Sequence, residues 1–188
     1  MNQPPPPCIV LAGVAGSGKT TIGRLLARRL GVPFLDADDF HPPANRERMA
    51  RGEALDDEAR APWLAALQHA LASHREAGTG CVLACSALAE RYRERLRASG
   101  AAVRFVHLRV AADVLRSRLL QRQGHFFPAA LLASQLATWE PLVDGCEVDA
   151  NGPPDGVVAR VAAALHLPAA DRGALHPDDP RRPDSGSP

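Results

Sequence analysis

The sequence predicts an α/β fold, a parallel sheet with helices on both faces. Short apolar runs alternate with longer segments whose apolar residues recur at helical spacing. The run at residues 81–85 is apolar throughout, as a central strand buried on both faces should be. Residues 13–20 match the pattern G-x-x-x-x-G-K-[ST], between an apolar run and an amphipathic segment. Together these three observations predict the fold class.

Length and composition limit the possible functions. The chain has 188 residues, 46% of them hydrophobic, which suits one domain with a real core. Its net charge of +1 argues against a general nucleic-acid binder. No apolar run approaches the roughly 18 residues of a membrane span, and residues 1–7 lack the features of a signal peptide. We therefore expect a cytoplasmic protein without a membrane or nucleic-acid partner.

The elements of the first half follow in order. The pattern predicts a strand at residues 8–12, a helix at 21–30, a strand at 32–36, a short helix at 44–51 and a long helix after Pro62. In the long helix Trp63, Leu64, Leu67 and Leu71 fall on one face, and glycines at positions 78 and 80 end it.

The second half continues the alternation. It predicts strands at residues 81–85, 103–108 and 146–149, a helix capped by Ser86, and helices at 111–123, up to Trp139 and at 154–165, with an interruption at 126–128. The folded domain is expected to span residues 8–166. Residues 1–7 and 167–188 are rich in proline and lack apolar periodicity, so we expect them to be disordered.

The four cysteines, Cys8, Cys81, Cys85 and Cys146, show no zinc-ligand spacing. Cys81 and Cys85 share one strand, where four extended residues separate them by roughly 13 Å. That distance is too long for a shared metal ion or a disulfide. We expect buried, reduced thiols.

The glycine-rich segment predicts a phosphate-binding loop and the P-loop nucleoside triphosphate hydrolase fold. Glycines let the backbone curl so that N–H groups point inward, and the following helix N-terminus adds partial positive charge. Lys19 is expected to reach the β- and γ-phosphates, and the Thr20 hydroxyl to bind Mg²⁺. Lys19 is the only lysine among 22 basic residues, which argues against a chance match because a compact ammonium suits a phosphate site. The predicted ATP-binding residues are Gly13, Val14, Ala15, Gly16, Ser17, Gly18, Lys19, Thr20 and Thr21.

An acidic cluster ends the second predicted strand. Asp36 and Asp38 lie two residues apart, so both side chains project to one side, which should face the phosphate loop. We assign Asp36 to the magnesium site and Asp38 to the acceptor hydroxyl, as an orienting group or general base. The alternative is a solvated acidic turn or a helix N-cap. Asp39 is the weaker member of the cluster.

Two arginines follow the fourth predicted strand. Arg118 and Arg122 are four residues apart and share one helix face. Residues 123–127 then place a glycine before aromatic side chains, the pattern of a mobile lid that brings arginines to the phosphates and excludes water. The alternative is a solvated arginine face.

A further polar set surrounds these elements and suits an anionic, hydroxylated acceptor, because arginine pairs bidentately with a carboxylate. Each member alone is more typical of a surface or capping residue, and only the set predicts an acceptor site. Its members are His41, Asn45, Arg48, Arg60, Ser86, Tyr92 and Arg93.

These blocks, in this order, resemble the gluconate kinase family of small P-loop kinases over residues 9–165. The phosphate loop is shared by a vast superfamily, so the other blocks carry the resemblance. They are Asp38-Asp39-Phe40-His41-Pro42, Arg60-Ala61-Pro62-Trp63-Leu64, Cys85-Ser86-Ala87-Leu88 and Gly124-His125-Phe126-Phe127. We place His125, from the last block, in the acceptor site as well.

The resemblance implies phosphorylation of the 6-hydroxyl of D-gluconate to 6-phosphogluconate, with ATP and Mg²⁺, by a cytosolic homodimer. It also implies five parallel strands in the order 2-3-1-4-5 and a lid over the nucleotide. The chain departs from the family pattern at Ala37, Arg48 and Ala59, at Ala89-Glu90, and around residues 138–141, where it is one residue shorter. Ala89-Glu90 matters most, because it replaces a lysine-rich pair that could touch the acceptor.

Two other functions remain open. One is a related kinase acting on shikimate or another sugar acid. The other is an ATP-binding switch without an acceptor, against which the paired arginines and the lid pattern argue. The third strand ends in Cys85-Ser86 without an acidic residue, which argues against an ATPase motor.

Overall fold

The computed structural model describes residues 6–120 and 129–167. It contains a single five-stranded parallel sheet in the order β2-β3-β1-β4-β5 within those residues. The order confirms the prediction. The strands are β1 Cys8–Ala12, β2 Phe34–Asp36, β3 Cys81–Ala84, β4 Val103–Arg109 and β5 Cys146–Asp149.

Seven helices and one short 3₁₀ turn follow or connect the strands in the described residues. The helices are α1 Lys19–Leu30, α2 Pro43–Ala50, α3 Asp57–Glu76, α4 Glu90–Arg97, α5 Ala112–Leu120, α6 Ala129–Thr138 and α7 Pro154–Ala164. The 3₁₀ turn spans Ala37–Phe40, directly after β2. The predicted interruption at 126–128 and the lid pattern at 123–127 lie outside the described residues.

The central strand β1 divides the core into two layers. Its residues alternate between the faces, so Val10 packs with α3 and α4, whereas Ile9 and Leu11 pack with α1 and α7. All five β1 residues are buried, as expected for a parallel strand covered on both sides. This arrangement holds the loop after β1 at the carboxyl edge of the sheet, where ligands bind in such folds.

Two helix starts differ from the prediction by three residues or more. Helix α3 begins at Asp57 and not after Pro62, because the Asp56 carboxylate accepts a 2.8 Å hydrogen bond from the Ala59 N–H and caps it. Pro62 lies inside the helix. Ser86 does not cap α4, which begins at Glu90 and whose first N–H is bound by the distant Glu140 carboxylate, 2.6 Å away.

The cysteines are free thiols, as predicted. Cys8, Cys81 and Cys85 are buried and Cys146 is half-buried. Burial raises the pKa of Cys85 to about 12, so this thiol stays neutral near pH 7. In the described part of the chain no helix is long and apolar enough to cross a membrane.

Candidate active site

The loop after β1 has the backbone that its glycines permit. Gly13 has φ +146° and donates its N–H to the Ser86 carbonyl, 3.2 Å away. A Cβ at this position would lie 2.9 Å from the Ser17 hydroxyl oxygen. Gly18, with φ +96°, ends the loop at the N-terminus of α1. The predicted phosphate loop therefore has the required curled conformation, and Ser86 lies beside it.

Lys19 curls back over the loop that precedes it. Its Nζ donates to the carbonyl oxygens of Gly13 at 2.9 Å and Val14 at 3.0 Å. These contacts keep the ammonium group above the loop, where phosphate oxygens would bind.

Thr20 and Asp36 meet across the site. The Thr20 hydroxyl donates a 3.0 Å hydrogen bond to the Asp36 carboxylate. A hydroxyl and a carboxylate are oxygen ligands of the kind Mg²⁺ prefers, and Mg²⁺ takes few protein ligands because it keeps waters and phosphate oxygens. No cluster of three or more His, Cys, Asp or Glu side chains that could hold a metal occurs among residues 6–120 and 129–167. The donor set fits a nucleotide-bound Mg²⁺ rather than an all-protein metal cage.

Asp38 lies two residues beyond Asp36, within the 3₁₀ turn. Its own N–H donates to the Asp36 carboxylate at 3.3 Å, which caps the 3₁₀ turn. Residue 38 as a whole is exposed, but its carboxyl group is surrounded by protein atoms. This desolvation, followed by the negative charge of Asp36, raises the pKa of Asp38, while Lys19 opposes the shift. Asp39 is exposed, and we assign it no role.

His41 and Asn45 follow the acidic turn (the 3₁₀ turn Ala37–Phe40), and both are buried. His41 stacks on Trp63, with ring centroids 4.5 Å apart. Burial, with the charges of Arg60 and Arg46, lowers the pKa of His41 to about 4, so the ring is neutral near pH 7. Its Nδ1 is buried without a hydrogen-bond partner among the described residues. Asn45 donates to the Ala59 carbonyl at 2.6 Å.

Arg48 and Arg60 are partly exposed and each lies near acidic side chains. Arg48 lies 3.5 Å from Asp56 and 3.7 Å from Glu53. Arg60 donates to the Tyr92 hydroxyl at 2.9 Å. Both guanidinium groups therefore lie at the protein surface.

Arg93 differs from its predicted role. The side chain is fully buried, and its five N–H donors are all used within the protein. They contact the Glu90 carboxylate and the four carbonyls of Ala87, Leu88, Glu140 and Pro141, at 2.7–3.0 Å. A ligand would have to displace these contacts, so we assign Arg93 to holding the loop after β3 against the segment after α6.

The same network includes Ala89-Glu90, where the sequence departs from the family pattern. Ala89 is buried, and Glu90 forms ion pairs with Arg93 at 2.7 Å and Arg97 at 2.6 Å. The negative charge that replaces the usual lysine-rich pair is thus neutralised inside α4.

A cleft of about 370 Å³ opens beside the phosphate loop, between residues 16–18 and the segment after β5. Arg118 lines it and donates to the carbonyls of Gly16 at 3.3 Å and Ala150 at 3.1 Å. The cleft walls are Gly16, Ser17, Gly18, Thr21, Ile22, Arg118, Ala150, Gly152, Pro154 and Val157. The contribution of the loop after β5 was not predicted, because small and apolar residues there carry no motif.

Gln135 is a second residue that the sequence analysis missed. Its side-chain oxygen accepts a 2.7 Å hydrogen bond from the Ala15 N–H of the phosphate loop. A lone glutamine in a mainly apolar helix gives no signal in the sequence. The predicted site residues Arg122 and His125 lie outside the described residues.

Comparisons with known proteins agree with this geometry. A family model described as an AAA domain matches residues 8–142. The chain is 50% identical over 135 residues to a gluconokinase of Gluconobacter oxydans, covering 72% of this chain and 76% of that protein. It is 42% identical to the thermoresistant gluconokinase of Escherichia coli, covering 80% and 88%. The crystal structure of a gluconokinase from Sinorhizobium meliloti 1021 is similar, with a TM-score of 0.77 at 40% identity, covering 87% and 94%.

These relatives are similar over most of their length, and the residues matched by the family model include both the phosphate loop and the acidic turn. The chain therefore belongs to the gluconokinase family of P-loop kinases.

Proposed function

We propose that this protein transfers the γ-phosphoryl group of ATP to the 6-hydroxyl of D-gluconate, giving 6-phospho-D-gluconate and ADP. The observation that carries the proposal is the placement of Asp36 and Asp38 opposite a lysine-bearing phosphate loop, in a chain 50% identical to a gluconokinase. A phosphoryl-transfer site needs a phosphate cradle, a metal site and an oriented acceptor hydroxyl, and this arrangement can supply all three.

The nucleotide would lie along the loop between Gly13 and Thr21. The cleft beside Arg118 has room for the nucleoside, and its walls include Gly16, Gly18 and Thr21 from the loop and the helix behind it. The phosphates would then run across the loop N–H groups toward Lys19. A Mg²⁺ ion held by Thr20 and Asp36 would neutralise charge that develops on the phosphate oxygens.

Asp38 is the residue we propose to act on the acceptor. Its carboxylate would accept the proton of the 6-hydroxyl while the new oxygen–phosphorus bond forms and the bond to the β-phosphate oxygen breaks. A pKa raised by desolvation and by the negative charge of Asp36 makes Asp38 a stronger base than an aspartate of ordinary pKa. Arg118, and Arg122 outside the described residues, would stabilise charge on the transferred group.

The remaining acceptor-side groups would recognise the rest of gluconate. Arg48 and Arg60 would pair with its carboxylate. His41, whose ring is neutral near pH 7, would hydrogen-bond a sugar hydroxyl. Asn45 and Ser86, with His125 outside the described residues, complete the proposed set.

We also propose that the protein works as a cytoplasmic homodimer, as the family resemblance implies. The predicted oligomer is tested by sedimentation equilibrium of the purified chain. A single species at the mass of one 20.0 kDa chain would contradict this part of the proposal.

The deciding experiment measures ADP production by the purified protein with Mg²⁺-ATP, offered D-gluconate, shikimate or no acceptor in parallel. Gluconate-dependent ADP production is the expected result. Turnover only with shikimate or another acid would support kinase activity but assign a different acceptor substrate. ATP binding without acceptor-dependent turnover would favour the nucleotide-binding switch.

A further inference from the structure

Helix α6 is docked on the phosphate loop by two side chains one turn apart. Leu132 packs in an apolar cluster with Val14 of the loop and with Leu115 and Leu119 of α5. Gln135, three residues later on the same helix, accepts the Ala15 N–H at 2.7 Å. The helix therefore contacts two consecutive loop residues, one through apolar packing and one through a hydrogen bond.

The Ala15 contact differs from the other loop contacts in its acceptor. The N–H groups of Gly13 and Ser17 donate to the backbone carbonyls of Ser86 and Val14, which form part of the loop's fixed framework. The Ala15 N–H donates instead to a half-buried side chain from another element. A side chain can rotate away from its donor without any change in the backbone, so this contact is exchangeable.

Ala15 also lies on the side of the loop where the last phosphate would end. The nucleoside-sized cleft is lined by Gly16, Ser17 and Gly18, but not by Ala15. A triphosphate that starts in the cleft and follows the loop toward Lys19 would therefore bring its terminal phosphate nearest to Ala15. Each N–H donates well to one acceptor, so a γ-phosphate oxygen at this position would compete with the Gln135 carbonyl.

We propose that Gln135 contacts the terminal phosphate of ATP and helps the protein to distinguish ATP from ADP. This inference rests on the proposed ATP-dependent function. In the absence of a γ-phosphate, the Gln135 carbonyl satisfies the Ala15 N–H. When a γ-phosphate oxygen takes that N–H, the carboxamide rotates and its NH₂ group donates to the phosphate. A carboxamide is suited to this exchange because one end accepts and the other end donates.

The test compares the binding of ADP and of the β,γ-imido analogue of ATP, both with Mg²⁺, by calorimetric titration. The variant Gln135→Glu puts a negative charge where the phosphate arrives, and it should lower the preference for the analogue over ADP at least tenfold. Gln135→Leu removes the donor without adding charge and should lower the same preference about threefold. Ser134→Glu, an exposed neighbour on α6, adds the same charge away from the loop and should change it less than twofold.

An unchanged preference in both Gln135 variants would overturn the inference, as would an equal loss in Ser134→Glu. An equal loss of affinity for both nucleotides would also overturn it, because that result indicates a structural role only. If Gln135→Glu does not fold, as judged by thermal unfolding, Gln135→Leu alone carries the test. The titrations need no acceptor, so failure of gluconate phosphorylation and failure of this inference give different results.

Discussion

The indole N–H of Trp63 donates a 2.7 Å hydrogen bond to the carbonyl of Ala37. This bond ties helix α3 to the 3₁₀ turn that carries Asp38 and follows Asp36. The indole is buried and its ring also stacks on His41. One tryptophan thus fixes both the acidic turn and the neutral histidine of the proposed acceptor site.

We expect Trp63→Phe to weaken both stability and turnover. Phenylalanine keeps an aromatic surface for His41 but leaves the Ala37 carbonyl without its donor, at a cost of about 1–3 kcal/mol in the free energy of unfolding. Because the acidic turn loosens, kcat should fall as well. Urea unfolding and ADP-release kinetics measure the two effects. Leu96→Val, buried on α4 away from the turn, is the control that should lose stability but keep kcat.

Lys19 is expected to be irreplaceable. Lys19→Ala should abolish turnover, because no other ammonium group can reach the phosphates. Lys19→Arg keeps the charge but adds a planar fork to a space bounded by the Gly13 and Val14 carbonyls, so we expect a loss of at least about 10²-fold in kcat. Substantial turnover by Lys19→Arg would show that charge alone is sufficient.

Asp38→Asn should lower kcat by about 10²–10⁴-fold, because the amide cannot accept the acceptor's proton. ATP binding should change little, since the phosphate loop is untouched. Steady-state kinetics and nucleotide titration separate these two effects. Asp39→Asn, at the exposed neighbouring position, is the matched control. Wild-type turnover in Asp38→Asn would remove Asp38 from its proposed role.

The depressed pKa of His41 predicts acid destabilisation. The folded-state pKa is about 4, against an ordinary value of 6.5, so between these values the unfolded chain binds more protons than the folded protein. Stability is therefore expected to fall as the pH drops from about 7 toward 4, by about 1–3 kcal/mol from this group. Urea unfolding at several pH values measures the slope. In His41→Gln the slope should be smaller, and an unchanged slope would contradict the assignment.

Arg93→Lys should destabilise the protein by about 3 kcal/mol or more. One ammonium cannot replace a guanidinium that donates to four carbonyls and a carboxylate, so buried acceptors lose their partners. Arg95→Lys, exposed on the same helix, should have almost no effect on thermal unfolding. The KM for gluconate, measured well below the unfolding temperature, should stay within about threefold in Arg93→Lys. A selective rise in the KM for gluconate would indicate instead that Arg93 contacts the substrate.

The sheet could be predicted from the sequence because the central strands β1 and β3 are apolar runs preceded by proline or glycine, and helical patterns separate the remaining strands. β1 and β5 have the predicted bounds, Cys8–Ala12 and Cys146–Asp149. The start of α3 was misplaced because Pro62 is a good helix-start signal, while the true cap, Asp56, is one of several acidic residues in a row. Local sequence preferences alone do not decide whether Pro62 or Asp56 marks the helix start.

Part of the site was visible in the sequence because motifs encode local geometry. The phosphate loop and the Thr20–Asp36 pair follow from a loop and a strand end that lie at the same carboxyl edge of the predicted parallel sheet. The burial of Arg93 was not predicted because two of its five partners, the carbonyls of Glu140 and Pro141, are more than 45 residues away along the chain. The same holds for Gln135, whose partner Ala15 is 120 residues away. Such contacts depend on how α6 packs, which no local pattern specifies.

The lone lysine also gives the protein an unusual chemical reactivity. Apart from the amino terminus, an acylating reagent such as an N-hydroxysuccinimide ester finds a single primary amine in the chain, and that amine is held above the phosphate loop. Peptide mapping by mass spectrometry after brief acylation separates this amine from the amino terminus and would therefore report the occupancy of one position. Bound nucleotide would shield it, so the wild-type protein provides its own footprinting probe without any engineered label.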